Sequence, residues 1–129
     1  MSSWSHACMA YAILRQGDTR QAKKIFGLSI QLCQKQNLVS GLAFAIEGLA
    51  SLHVEQKQPE RAARLFAWVD ATRVKINYPR PPIEQASVER DLAMIHSQIS
   101  DAAFEKASES GKSMTTEQAV ALALDESDD

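Results

Sequence analysis

The chain has 129 residues, the size of one domain, and is long enough to bury a core without disulfides or metals. Apolar residues make up 45% and charged residues 23%, proportions that exclude a disordered or fibrous chain. The formal net charge of -2 supplies no bulk field for nucleic acid or an anionic membrane, and five Gly with four Pro punctuate too few turns for a many-stranded β fold.

Residues 4–16 are nearly all apolar or small and break at Gly17-Asp18, which predicts a first helix. Asp18 and Gln21 have capping-box spacing, so a second helix starts near Thr19. Its apolar face is Ala22, Ile25, Phe26, Ser29, Leu32 and Cys33, with Lys23, Lys24, Gln31 and Lys35 on the other side. Asn37 is the expected cap of a third helix over 38–56, which carries apolar residues on nearly all sides and so needs neighbours on more than one face. Pro59 suits the first turn of a fourth helix, whose buried stripe is Ala62, Leu65, Phe66, Val69 and Ile76. Consecutive prolines in Tyr78-Pro79-Arg80-Pro81-Pro82 then stop helix formation and make a rigid elbow. A fifth helix over 83–99 places Val88, Leu92, Ile95 and Ile99 on one seam. Ser100 opens a sixth over 101–110, ended by Gly111, and Thr115 with Gln118 opens a seventh over 116–125. The acidic tail 126–129 is expected to fray. No segment alternates with period two, so the chain reads as all-α with about seven helices.

Compared with itself at an offset of 40, the sequence aligns Ala10, Gln16, Ala22 and Phe26 with Ala50, Gln56, Ala62 and Phe66. Apolar character is kept at Trp4/Phe44, Met9/Leu49 and Ile25/Leu65. The small Ala10 and Ala50 would let a neighbouring helix approach closely, and the two phenylalanines would fill the space between paired helices. The first copy reads His6, Met9-Ala10, Ile13, then Ala22-x3-Phe26. The second reads Ile46, Leu49-Ala50, His53, then Ala62-x3-Phe66.

This pattern resembles the tetratricopeptide repeat, and its longer period is similar to the degenerate repeats of bacterial LuxR-type and MalT-like, ATPase-linked regulators. Residues 63–69, the Pro-rich elbow, Phe104 and the run Met-Thr-Thr-Glu-Gln-Ala-Val-Ala-Leu-Ala-Leu at 114–124 resemble the C-terminal cap of such proteins. The resemblance implies antiparallel helical hairpins stacked as a short superhelix. One domain over 1–125 would hold repeats at 4–36 and 43–76, the elbow at 78–82 and a helical cap over 83–125. It also implies that the chain is the C-terminal part of a signalling or transcription regulator. The ATPase signature G-x-x-x-x-G-K-[ST] does not occur in it.

No catalytic or metal pattern stands out. His6, His53 and His96 lack a Glu three residues before them, and no G-x-S-x-G turn occurs, so neither an enzyme nor a cofactor is expected. Cys8 and Cys33 fit no metal or redox spacing and read as small core residues. Residues 1–80 hold 11 Lys/Arg against 5 Asp/Glu, a net of +6, and residues 81–129 hold 3 against 11, a net of -8. Two solvated faces are the simpler account of this split. The alternatives are docking of the two halves or an acidic partner held by Arg20, Lys23, Lys24, Arg61 and Arg64. Nucleic acid would need a denser basic stripe with aromatic stacking.

The resemblance further implies a binding groove on the first helix of each repeat. Side chains three and four apart share a face, which gathers Trp4, Ala7, Tyr11, Leu14 and Arg15, and forty residues on Phe44, Glu47, Ser51, Val54 and Glu55. The aromatics at the head of each row would anchor a peptide or helix, or serve as core or dimer contacts. Residues 1–16 lack a charged segment followed by a long apolar one, and the longest apolar stretches, 41–46 and 48–50, fall short of the ~20 residues of a membrane span. The expectation is therefore a cytoplasmic, non-catalytic helical-repeat scaffold. It would bind protein or peptide and associate with itself through residues 4–14. An effector- or peptide-sensing role is the alternative.

Overall fold

The computed structural model describes residues 2–124, so the expected fraying of 126–129 lies outside the described residues. The described chain is all-α: α1 (Ser3–Arg15), α2 (Thr19–Gln36), α3 (Val39–Glu55), α4 (Pro59–Ile76), α5 (Pro82–Gln98), α6 (Asp101–Lys112) and α7 (Thr116–Leu124). None of these helices is long and apolar enough to cross a membrane.

Local sequence sets most of the helix ends. Asp18 accepts from the Gln21 amide at 3.1 Å and Ser100 from the Ala103 amide at 3.1 Å. Thr115 and Gln118 close a reciprocal capping box, with Gln118 N–H donating to Thr115 Oγ1 at 3.1 Å and Thr115 N–H to Gln118 Oε1 at 2.9 Å. Pro59 and Pro82 occupy the first turns of α4 and α5, where no amide is needed. Asn37 corrects one expectation. It does not cap the start of α3 but ends α2, in the left-handed region at φ 55°, and Leu38 precedes α3. Asparagine tolerates that backbone and so ends helices as well as starting them.

α1 packs on α2, α2 on α3 and α3 on α4, a solenoid-like succession of antiparallel neighbours. The two hairpins repeat closely. α2 and α4 are each 18 residues and begin 40 apart. Gln16 and Gln56 end α1 and α3. Asn77 ends α4 at φ 54°, just as Asn37 ends α2. Ala10, Ala22, Phe26, Ala50, Ala62 and Phe66 are all buried. As its all-round apolar pattern requires, α3 is buried on most sides, lying against α2, α4, α1, α5 and α7.

Two glycines permit close approach within this stack. A Cβ at Gly48 of α3 would overlap the Phe26 ring and lie 3.0 Å from Tyr11 Cζ. A Cβ at Gly111 would overlap the Arg64 backbone carbonyl. Gly111 therefore does not end α6. It lies inside the helix, buried, because α6 rests directly on the backbone of α4.

Beyond the elbow the succession loosens. α6 packs extensively on α4, whereas α5 touches α3, α4 and α6 only sparsely. α7 turns back and lies against α3, α4 and α2, with Ala119 and Ala123 buried. His53 of α3 holds it there, Nε2 lying 3.1 Å from the Ala123 carbonyl and Nδ1 2.9 Å from Gln58 Oε1. Burial lowers the His53 pKa below its ordinary value, against the opposing effect of these two bonds. Cys33 is buried as expected. Cys8 is exposed, contrary to expectation, because it lies one turn along α1 from the half-exposed Trp4, on the face that the groove leaves open.

Candidate partner-binding groove

The first helices of the hairpins and α5 line one face, and a cavity of about 140 Å³ opens between them. α1 contributes Trp4, Tyr11 and Arg15, and α3 contributes Phe44, Glu47 and Ser51. Three aromatic rings form one wall. Trp4 stacks on Phe44 with ring centres 4.4 Å apart and planes 20° off parallel, and Tyr11 tilts against Phe44 at 4.9 Å. Tyr11 also meets Phe26 edge-on at 5.1 Å, and its hydroxyl donates to the Phe44 carbonyl at 3.0 Å. Burial raises the Tyr11 pKa well above its ordinary value, and the carboxylates Glu47, Glu84 and Asp91 add to that against Arg73. Tyr11 is thus a neutral donor that fixes the wall to the backbone of α3. Phe44 is buried, whereas Trp4 is 50% exposed, so the outer ring of the stack remains open to a partner.

The base of the groove is ionic. Glu47, buried, accepts from Arg80 Nε of the elbow and lies 3.4 Å from Arg73 Nε of α4. Arg73 reaches Glu84 of α5 at 3.4 Å and donates to the Tyr78 carbonyl at 3.1 Å, its guanidinium 5.2 Å from the Tyr78 ring centre. Arg80 also pairs with Asp70. Burial pushes the Glu47 pKa up, against the opposing pull of Arg80 and Arg73. Burial also works against the charge on Arg80, but Glu47 and Asp70 outweigh it and raise its pKa. This network ties both arginines and the start of α5 to one buried carboxylate.

The structure brings six of the ten expected groove residues to the cavity: Trp4, Tyr11, Arg15, Phe44, Glu47 and Ser51. Ala7, Leu14 and Val54 do not line it. They are buried in the core, because inter-helix packing takes the inner side of each row. Glu55 is exposed beyond the cavity and acts at a distance on Asp91. The expectation also lacked the third wall, Ile83, Glu84, Ser87 and Val88 of α5. The offset of 40 contains that signal. Carried one step further, it maps Phe44, Glu47 and Ser51 onto Glu84, Ser87 and Asp91. Equivalent positions meet in space, with Trp4 on Phe44 and Ser51 donating to Asp91. Burial raises the Asp91 pKa, opposed by the Ser51 bond and reinforced by Glu55.

His6, His53 and His96 stand apart, and among the described residues no three His, Cys, Asp or Glu side chains gather as metal ligands. His96 lies against the Phe104 ring at 4.2 Å. No family model, curated protein or solved structure matches the chain.

Proposed function

We propose that this chain is a non-catalytic, tetratricopeptide-like interaction module that binds a protein or peptide in the groove between α1, α3 and α5. The cavity beside Trp4 carries the reading. It is preformed, about 140 Å³, which is space for one apolar side chain, and an aromatic ring at its mouth is half exposed. A rigid pocket with an exposed tryptophan is the kind of site that captures a partner's anchor residue. The Tyr11 bond and the ionic base hold its walls in place, so little ordering cost accompanies binding. The period of 40 and the buried alanine and phenylalanine positions support a place in the helical-repeat region of a bacterial signalling or transcription regulator. The same cavity would suit a small effector in the sensing alternative.

The test is to select peptides on the intact chain and follow Trp4 emission in a Trp68→Phe background, since Trp68 is buried. Trp4→Ala, which removes that signal and is read instead by the anisotropy of a dye-labelled peptide, should weaken the selected peptides about tenfold or more while leaving the fold unchanged by circular dichroism. Peptides that bind equally well to Trp4→Ala and Ser87→Arg would place recognition elsewhere and overturn the reading.

A further inference from the structure

A second unpartnered surface lies away from the groove. α5 and α6 both rest on α4 but barely touch each other, and an open cleft of about 570 Å³ remains where they diverge. Phe66 of α4 forms its floor, Leu92 of α5 and Phe104 of α6 its sides, and Asp70 of α4 with Glu105, Glu109 and the single cation Lys112 of α6 its rim, which is acidic by three carboxylates to one ammonium. On α6, Asp101, Glu105 and Glu109 recur every fourth residue, all exposed, so the rim is an acidic stripe above an apolar floor.

The second helix of the first hairpin presents the complement. α2 contains no Asp or Glu. Its outer side carries Arg20, Lys24, Leu28, Gln31 and Lys35 at helical spacing, all exposed. Leu28, 41% exposed, is the apolar residue at the centre of that basic stripe. A leucine knob flanked by cations matches a cleft with an apolar floor and a mainly carboxylate rim in polarity and charge.

We propose that α2 of one copy of this chain seats in the α4–α5–α6 cleft of the next, with Leu28 entering between Leu92 and Phe104 and Lys24, one turn away, facing Glu105 and Glu109. The two surfaces differ and share no helix, so the contact is head-to-tail and leaves one of each surface free for a further copy. It uses neither Trp4 nor the groove cavity, and it stands or falls independently of peptide binding there.

Sedimentation velocity on the full chain, from micromolar to millimolar concentration, tests this. The wild type should associate beyond a dimer and weaken as salt rises. Lys24→Gln with Leu28→Asn blocks the stripe, and Glu105→Lys with Glu109→Lys blocks the cleft. All four positions are exposed, so both variants should fold. Each alone should associate about tenfold or more weakly than the wild type. Mixed in equal amounts, they should form a dimer that grows no further, because each supplies the one surface the other lacks. A wild type that stays monomeric, two variants that associate like it, or a mixture that remains monomeric would each overturn the proposal. So would association that is lost with Met9→Glu on α1 but survives the α2 substitutions. A monomeric wild type that takes up a Lys/Leu amphipathic model peptide would point to a foreign basic partner and also count against it.

Discussion

The junctions α2/α3 and α4/α5 occupy equivalent places in the repeat and are built in opposite ways. At the first, position 48 is glycine, and the missing Cβ lets the Phe26 ring and Tyr11 press against α3. At the second, the equivalent position is Val88, a branched side chain that is itself buried, and α5 keeps only sparse contact with α4. Charge bridges the second junction instead, through Arg73 of α4 and Glu84 of α5, while Glu47 of α3 holds Arg73 and Arg80 and Ser51 of α3 bonds to Asp91 of α5. Three side-chain carbons, those of Val88 against none at Gly48, thus separate a close-packed junction from an ion-paired one. The looser packing there is also what leaves room for the groove cavity and the cleft.

The most damaging way to break this contrast is to give the tight junction the loose junction's residue. Gly48→Val should cost about 4 kcal/mol in urea unfolding, well beyond the ~0.4 kcal/mol of helix propensity gained on replacing glycine by valine. Phe26→Leu in that background should restore part of the loss, because the clash is with the ring. If Gly48→Val leaves the unfolding midpoint unchanged, glycine is not what brings α3 onto α2. The ionic junction is the next to break. Glu47→Ala strips two buried guanidiniums of their shared carboxylate and should cost about 3 kcal/mol. Arg80→Ala should add little to it in a double-mutant cycle, and strictly additive losses would show that the pair does not act as a unit.

Val88→Ala should be milder, about 1.5 kcal/mol for two buried methyl groups at a junction with few other apolar contacts. Its effect should appear as faster amide exchange confined to α5. The pH dependence sharpens the picture at the other end of α3. The folded His53 pKa lies below its ordinary 6.5, so its contribution is complete above 6.5 and is lost as pH falls through the lowered value. Amides of α7 should therefore exchange faster on acidification after correction for intrinsic rates, and His53→Gln should remove that dependence. The smallest effect belongs to Asp91. Its raised pKa means that the ionised group weighs against folding near neutral pH, and that this penalty disappears as pH falls through the raised value. Asp91→Asn keeps an acceptor for Ser51, and stability at neutral pH should stay within about 1 kcal/mol of the wild type or rise. A large loss on chemical denaturation would make the carboxylate charge itself structural.

Much of the fold is legible in the residues. Asp18, Ser100 and the Thr115/Gln118 box mark helix starts because a cap bonds only two or three residues along the chain. The four identities at offset 40 reveal two hairpins, and Lys35/Lys75 and Asn37/Asn77 are two more, the asparagines ending the second helix of each. The groove was legible in part. The rows through Trp4 and Phe44 follow from helical spacing, but spacing does not say which flank of a helix its neighbour covers, and so Ala7, Leu14 and Val54 went to the core. The α5 wall was hidden by the loss of the hydrophobic repeat after the elbow, where Phe44 gives way to Glu84 and Gly48 to Val88.

The chain by itself determined seven helices, their caps, a paired design and an elbow, because each depends on interactions within a few residues along the backbone. Tertiary structure alone decided that Gly111 admits a backbone rather than ending a helix, that Cys8 faces out, and that two arginines converge on Glu47. It also decided how closely each helix lies on the last. Those outcomes are set by distances of a few ångströms between segments remote in sequence, and a one-dimensional pattern records which groups are available to meet but not how near they come.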